Sequence, residues 1–110
     1  MPFFIDLPTK EGQWQAAVAA KWAANAPLSM LDQYIVNLKK LRAIGFDAGT
    51  QEGSIPATSR ALHEALERYG IPHAFEIYEG NHINRVAERI ETKVLPFFST
   101  NLEFSAAKKN

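Results

Sequence analysis

Two titratable side chains in this chain each stand in a short stretch that also holds a glycine. Glu52 lies in GTQEGS (residues 49–54) and His82 in EGNHIN (79–84). A carboxylate that accepts the Nδ1 proton of an imidazole fixes its tautomer and frees Nε2 to act as a general base. His82 is one of only three histidines, and it follows the apolar run AFEIY almost at once. A residue there stands at the rim of a sheet, where α/β folds keep their functional groups. The chemistry requires a fold that brings the two turns together.

The elements around them predict such a fold. LRAIGFDAG (41–49) is short, apolar and closed by Gly49, as expected of a strand buried on both faces. After the loop TQEGS, Pro56 fits the first position of a helix through ATSRALHEALERYG, with Leu62, Leu66 and Tyr69 on one side. Gly70 suits the position after that helix, and Pro72 prevents its continuation. HAFEIY (73–78) reads as a second strand, Phe75 and Ile77 alternating with Ala74, Glu76 and Tyr78. Strand, helix and strand make a βαβ unit, expected to be parallel with a right-handed crossover. VAERIETKVLPFF (86–98) is amphipathic through Val86, Ile90 and Val94. Pro96 should kink or end that helix, with Phe97, Phe98, Leu102 and Phe104 extending its apolar face.

Upstream, QWQAAVAAKWAAN (13–25) holds Trp14, Val18 and Trp22 four residues apart, which places them on one helical face. Asn25, Ala26 and Pro27 end that helix, and Ser29 reads as the N-cap of a second one. Leu31, Tyr34, Ile35 and Leu38 form the second helix's apolar face, with Lys39, Lys40 and Arg42 near its C-terminal end. The expected organisation is a helix pair over 1–42, a βαβ-α unit over 43–104 and a tail over 105–110. The fold class is α/β. Two parallel strands are too few for a stable sheet, so an exposed strand edge is expected to drive homodimerisation or a higher oligomer.

The chain has 110 residues, room for one domain, and 46% of them are hydrophobic, enough for a core. Twelve basic residues balance twelve acidic ones with no basic stripe, so neither nucleic acid nor an anionic membrane surface is an expected partner. The absence of cysteine excludes disulfides, thiolate metal sites and a cysteine nucleophile. MPFFIDLP has no basic n-region, and no apolar run approaches the roughly 18 residues of a membrane span. The expectation is a soluble, cytoplasmic chain.

From about Ile44 to Leu102 the sequence resembles the C-terminal part of an α/β-hydrolase-fold serine esterase, in the putative-esterase branch. FDAGTQE, ALHEALERYGIPH, FEIYEGNH and the closing VLPFFSTNL carry the resemblance. It implies a partial α/β-hydrolase fold in which His82 of Gly80-Asn81-His82 is the general base and Glu52 the acid that orients it. Acid first and histidine later is also the order of the last two triad members in that family. The resemblance implies carboxylic ester hydrolysis, a small ester as substrate, and no cofactor or metal. The family's G-x-S-x-G nucleophile elbow is absent: the serines at 29, 54, 59, 99 and 105 all lack that flanking pattern. The chain therefore reads as the last part of a hydrolase, with two triad members and without the third.

Other readings stand beside these. His82 could cap the next helix, and Glu52 could be an exposed turn carboxylate. Asp47 reads as a structural carboxylate, with partnership to His82 as the alternative, and Ser54 reads as a cap of the crossover helix or a substitute nucleophile. His63 and His73 read as residues without chemistry, and a metal site of His82, Glu52 and Asp47 lacks a supporting ligand motif. Two functions of different class follow: an esterase-type enzyme completed by a serine from elsewhere, or a non-catalytic, self-associating remnant of a hydrolase.

Overall fold

A computed structural model describes residues 5–103. The chain divides into two compact units, one up to Leu38 and one from Lys39 onward. The tail and Phe104 lie outside the described residues.

The first unit opens with a hairpin that the sequence reading did not anticipate. Strands β1 (Thr9–Lys10) and β2 (Gln13–Trp14) pair antiparallel. Glu11 and Gly12 connect them with φ of 51° and 78°, the two positive values of a type I′ turn, whose twist matches that of its strands. The expected helix is therefore shorter: α1 runs Ala16–Ala24. Trp14 lies on β2, which separates it from the helical face of Val18 and Trp22, and the Trp22 indole donates to the Asp6 carbonyl at 3.0 Å. The second helix, α2 (Pro27–Leu38), starts two residues before the expected cap. Proline costs little at a first helical position, where its missing N–H would have no intrahelical acceptor. Ser29 lies in the first turn instead, its N–H bonded to the Ala26 carbonyl. Of the expected apolar face, Leu31 is buried and Tyr34 is exposed.

The second unit contains the βαβ motif. Strand β3 (Gly45–Gly49), helix α3 (Ile55–Arg68) and strand β4 (Ala74–Tyr78) follow in order, and the strands pair in parallel from Gly45↔Ala74 to Gly49↔Tyr78. Gly70, with φ of +62°, takes the left-handed conformation that ends α3. In-register pairing puts partners on the same face. Phe46 and Phe75 stand side by side, with His63 of α3 stacked on Phe75 at 4.5 Å between ring centroids. Ala48, Ala65, Leu66 and Ile71 are the buried apolar residues among the described residues of this unit.

The opposite face is charged, which overturns the expectation of a strand buried on both sides. Asp47 and Glu76 are register partners and both bond Arg89, Asp47 Oδ2 at 2.9 Å from Nε and Glu76 Oε2 at 3.0 Å from Nη2. Arg89 also lies 4.4 Å over the Tyr78 ring, a cation–π contact. It belongs to α4 (Val86–Arg89), which passes into a π-helical turn (Ile90–Val94) and then α5 (Leu95–Asn101). Pro96 does not end this helical run. It sits in the first turn of α5, and the wider π turn before it accommodates a residue that cannot donate to an α-helical carbonyl. The expected apolar stripe of Val86, Ile90 and Val94 is exposed, while Arg89 is buried and Phe97 packs on Gly45. No described helix is long and apolar enough to cross a membrane.

Candidate active site

Both turns that hold the candidate residues lie at the carboxyl ends of β3 and β4. Parallel, in-register strands of equal length end side by side, so the following residues meet at one edge. The backbone joins them there: Thr50 N–H donates to the Tyr78 carbonyl and Gln51 N–H to the Gly80 carbonyl, both at 2.9 Å. Gly49 makes this approach possible. A Cβ at that position would lie 2.5 Å from the Gly80 carbonyl oxygen, closer than a side-chain carbon can come. Gly80 is crowded in turn, since a Cβ there would lie 2.9 Å from both Asn84 Oδ1 and the Tyr78 ring.

Glu52 follows on the first turn, whose chain reverses through Gly53 at φ +58° before Ile55 N–H bonds the Glu52 carbonyl. His82 is held by a reciprocal asparagine clamp. Asn81 Oδ1 accepts from the N–H groups of Ile83 (3.0 Å) and Asn84 (2.9 Å), while Asn84 Oδ1 accepts from Asn81 N–H (2.9 Å). Arg85 adds a bond from Nη1 to the Glu79 carbonyl and pairs with Glu88. The asparagines flanking His82 were the sequence signal for this clamp, because Asn side chains bond backbone amides two or three residues on.

The result is a carboxylate–imidazole pair. Glu52 Oε2 lies 3.3 Å from His82 Nδ1. The Glu52 side chain is 13% exposed and that of His82 is 85% exposed, so the carboxylate is sheltered and the imidazole is open to solvent. Glu52 Oε1 is buried and bonds no protein group among the described residues. With Nδ1 donating to the carboxylate, the neutral ring carries its lone pair on Nε2. Such a pair can take a proton from a hydroxyl or water and return it to a leaving group.

The other candidates lie elsewhere. Asp47 is engaged by Arg89, on the sheet face rather than at this edge. The hydrogen bond from Arg89 is the main cause that holds Glu76 down to about 2, with Lys93 at 3.1 Å assisting. Arg89 is raised above its ordinary value, chiefly by its bond to Glu76, against the opposing effect of burial. Ser54 occupies the residue before α3 but makes no side-chain cap; Thr58 Oγ1 turns back to the Ser54 and Ile55 carbonyls. No group of three or more His, Cys, Asp or Glu side chains that could hold a metal ion occurs among the described residues. His63 and His73, set aside on sequence, are in contact at 2.7 Å. No family model matches the chain, and no curated protein matches it either.

Proposed function

We propose that this chain supplies the acid and the histidine of an esterase-type site on a partial α/β-hydrolase fold. The observation that carries the reading is the 3.3 Å approach of Glu52 Oε2 to His82 Nδ1 at the carboxyl edge of a parallel sheet. In this reading a serine hydroxyl attacks the acyl carbon of a small carboxylic ester and passes its proton to His82 Nε2. The imidazolium, held by Glu52, returns that proton to the departing alkoxide, and water then repeats the sequence to release the acid. No G-x-S-x-G stretch of this sequence provides the serine. Another polypeptide chain is its proposed source.

The test is hydrolysis of a small activated ester by the chain alone, since such an ester needs only the His82–Glu52 pair acting on water and not the serine. His82→Ala lowers the turnover by about 10²-fold or more. Equal rates for the variant and the parent reject the reading. The missing elbow favours a second reading, a non-catalytic, self-associating remnant. A fluorophosphonate probe separates the two: labelling of one defined serine supports catalysis, and its absence together with unaltered rates supports the remnant.

A further inference from the structure

The two histidines that sequence reading set aside form a directed chain of hydrogen bonds. His73 Nδ1 lies 2.8 Å from the Ile71 carbonyl oxygen, an acceptor only, so this nitrogen carries the hydrogen. In neutral His73 the lone pair is then on Nε2, which lies 2.7 Å from His63 Nδ1. His63 must therefore donate from Nδ1, and in the neutral ring its Nε2 is then a lone pair. That lone pair lies 3.7 Å from Glu67 Oε1, one helical turn along α3. Two electron-rich atoms thus stand together, and a positive centre between them makes the arrangement favourable.

A proton there would make an ordinary ion pair one helical turn long; a metal ion would make a chelate, and the 3.7 Å spacing admits the ion. A protonated imidazole draws a carboxylate to about 2.7–2.9 Å. Two ligands of one tetrahedral ion, each about 2.0–2.2 Å from it, stand roughly 3.3–3.6 Å apart, close to the 3.7 Å seen here. An Nδ1–H donated to a fixed acceptor is also how ligating histidines are oriented. His63 is held further by stacking on Phe75, and a recess of about 510 Å³ lined by His63, Glu67, His73 and Phe75 gives space for water ligands.

We propose that His63 Nε2 and Glu67 Oε1 are the protein ligands of a divalent transition-metal site of the Zn²⁺ class, with His73 as a positioning residue. Two protein ligands make a weak, open site whose remaining positions take water. The site is independent of Glu52 and His82.

The test is titration of Zn²⁺ into the full chain without an affinity tag, followed by calorimetry and by imidazole ¹⁵N resonances. One saturable ion per chain is expected, with His63 Nε2 shifting most. His63→Ala and Glu67→Gln should each weaken binding about 10-fold or more, and His82→Ala should leave it unchanged. His73→Phe should weaken it and release His63 from its single tautomer. Absence of saturable binding below about 1 mM overturns the proposal. So does binding that survives both Glu67→Gln and His63→Ala, or a His63 that responds to pH but not to Zn²⁺. Glu67 is 62% exposed, so Glu67→Gln remains informative if His63→Ala fails to fold.

Discussion

Gly49 and Gly80 meet backbone to backbone, and this contact places Glu52 beside His82. A methyl group on Gly49 would fall 2.5 Å from the Gly80 carbonyl oxygen. Neither atom belongs to a flexible side chain, so one turn must move. Gly49→Ala should destabilise the chain by about 1–3 kcal/mol, the cost typical of overpacking. It should also separate the pair, and urea denaturation with the His82 side-chain resonances would show both effects. Unchanged resonances would mean that the turns are not coupled in this way.

Glu52 is expected to be a costly residue for the fold. Its Oε1 is buried without a protein donor among the described residues, and an unsatisfied buried acceptor costs about 1–3 kcal/mol. Glu52→Met keeps the volume and removes the polar oxygens. Its stability should equal the parent's or exceed it by about 1 kcal/mol, while any ester hydrolysis falls. A clear loss of stability in chemical denaturation would show that Glu52 serves the fold.

The charged face of the sheet gives a pH dependence with a definite sign. Glu76 is held at about 2 in the folded chain against an ordinary 4.5, so below 4.5 the unfolded chain binds the proton more readily. This contribution to stability is complete above about 4.5 and is lost as pH falls through about 2. Glu76 is 43% exposed, so solvent screening keeps the effect modest. Denaturation measured at steps between pH 5 and pH 2 should fall less steeply for Glu76→Gln than for the parent.

Arg89 is the shared partner of that face, 8% exposed between two carboxylates. Arg89→Met leaves Asp47 and Glu76 as adjacent like charges. The expected loss is about 2–3 kcal/mol, below the range for a fully buried pair because both carboxylates reach solvent. Thermal or urea denaturation reads it directly, and a loss under about 0.5 kcal/mol would reduce the network to surface pairing.

Among the described residues the parallel sheet has two strands and two outer edges. Strand edges with free N–H and C=O groups recruit further strands. Light scattering at micromolar concentration should therefore give a mass above 12.3 kDa. A clean monomer would rule out self-association through these edges.

The βαβ unit was legible because its signals are local: an apolar run closed by Gly49, Gly70 after an amphipathic helix, and alternation in AFEIY. The Glu52–His82 contact followed from topology alone, since each residue comes just after a strand end. The hairpin at Glu11-Gly12 was hidden because its strands have two residues each and glutamate is an unusual first residue for such a turn. The His63–His73 contact carries no sequence signal, because it depends on how α3 and the start of β4 pack. The C-terminal helical run misled for a different reason: its apolar residues were counted at an even α-helical period through a segment that is not evenly wound.

That uneven winding explains a mismatch in phase. Arg89 and Phe97 both face the sheet, eight residues apart. In a regular α-helix, eight residues end about 80° from alignment, whereas seven come within about 20°. The π turn at Ile90–Val94 takes up about one residue. It behaves like a one-letter insertion that shifts the pattern beyond it into a new frame. Residues before it and after it present a single surface only when they are counted in two different registers.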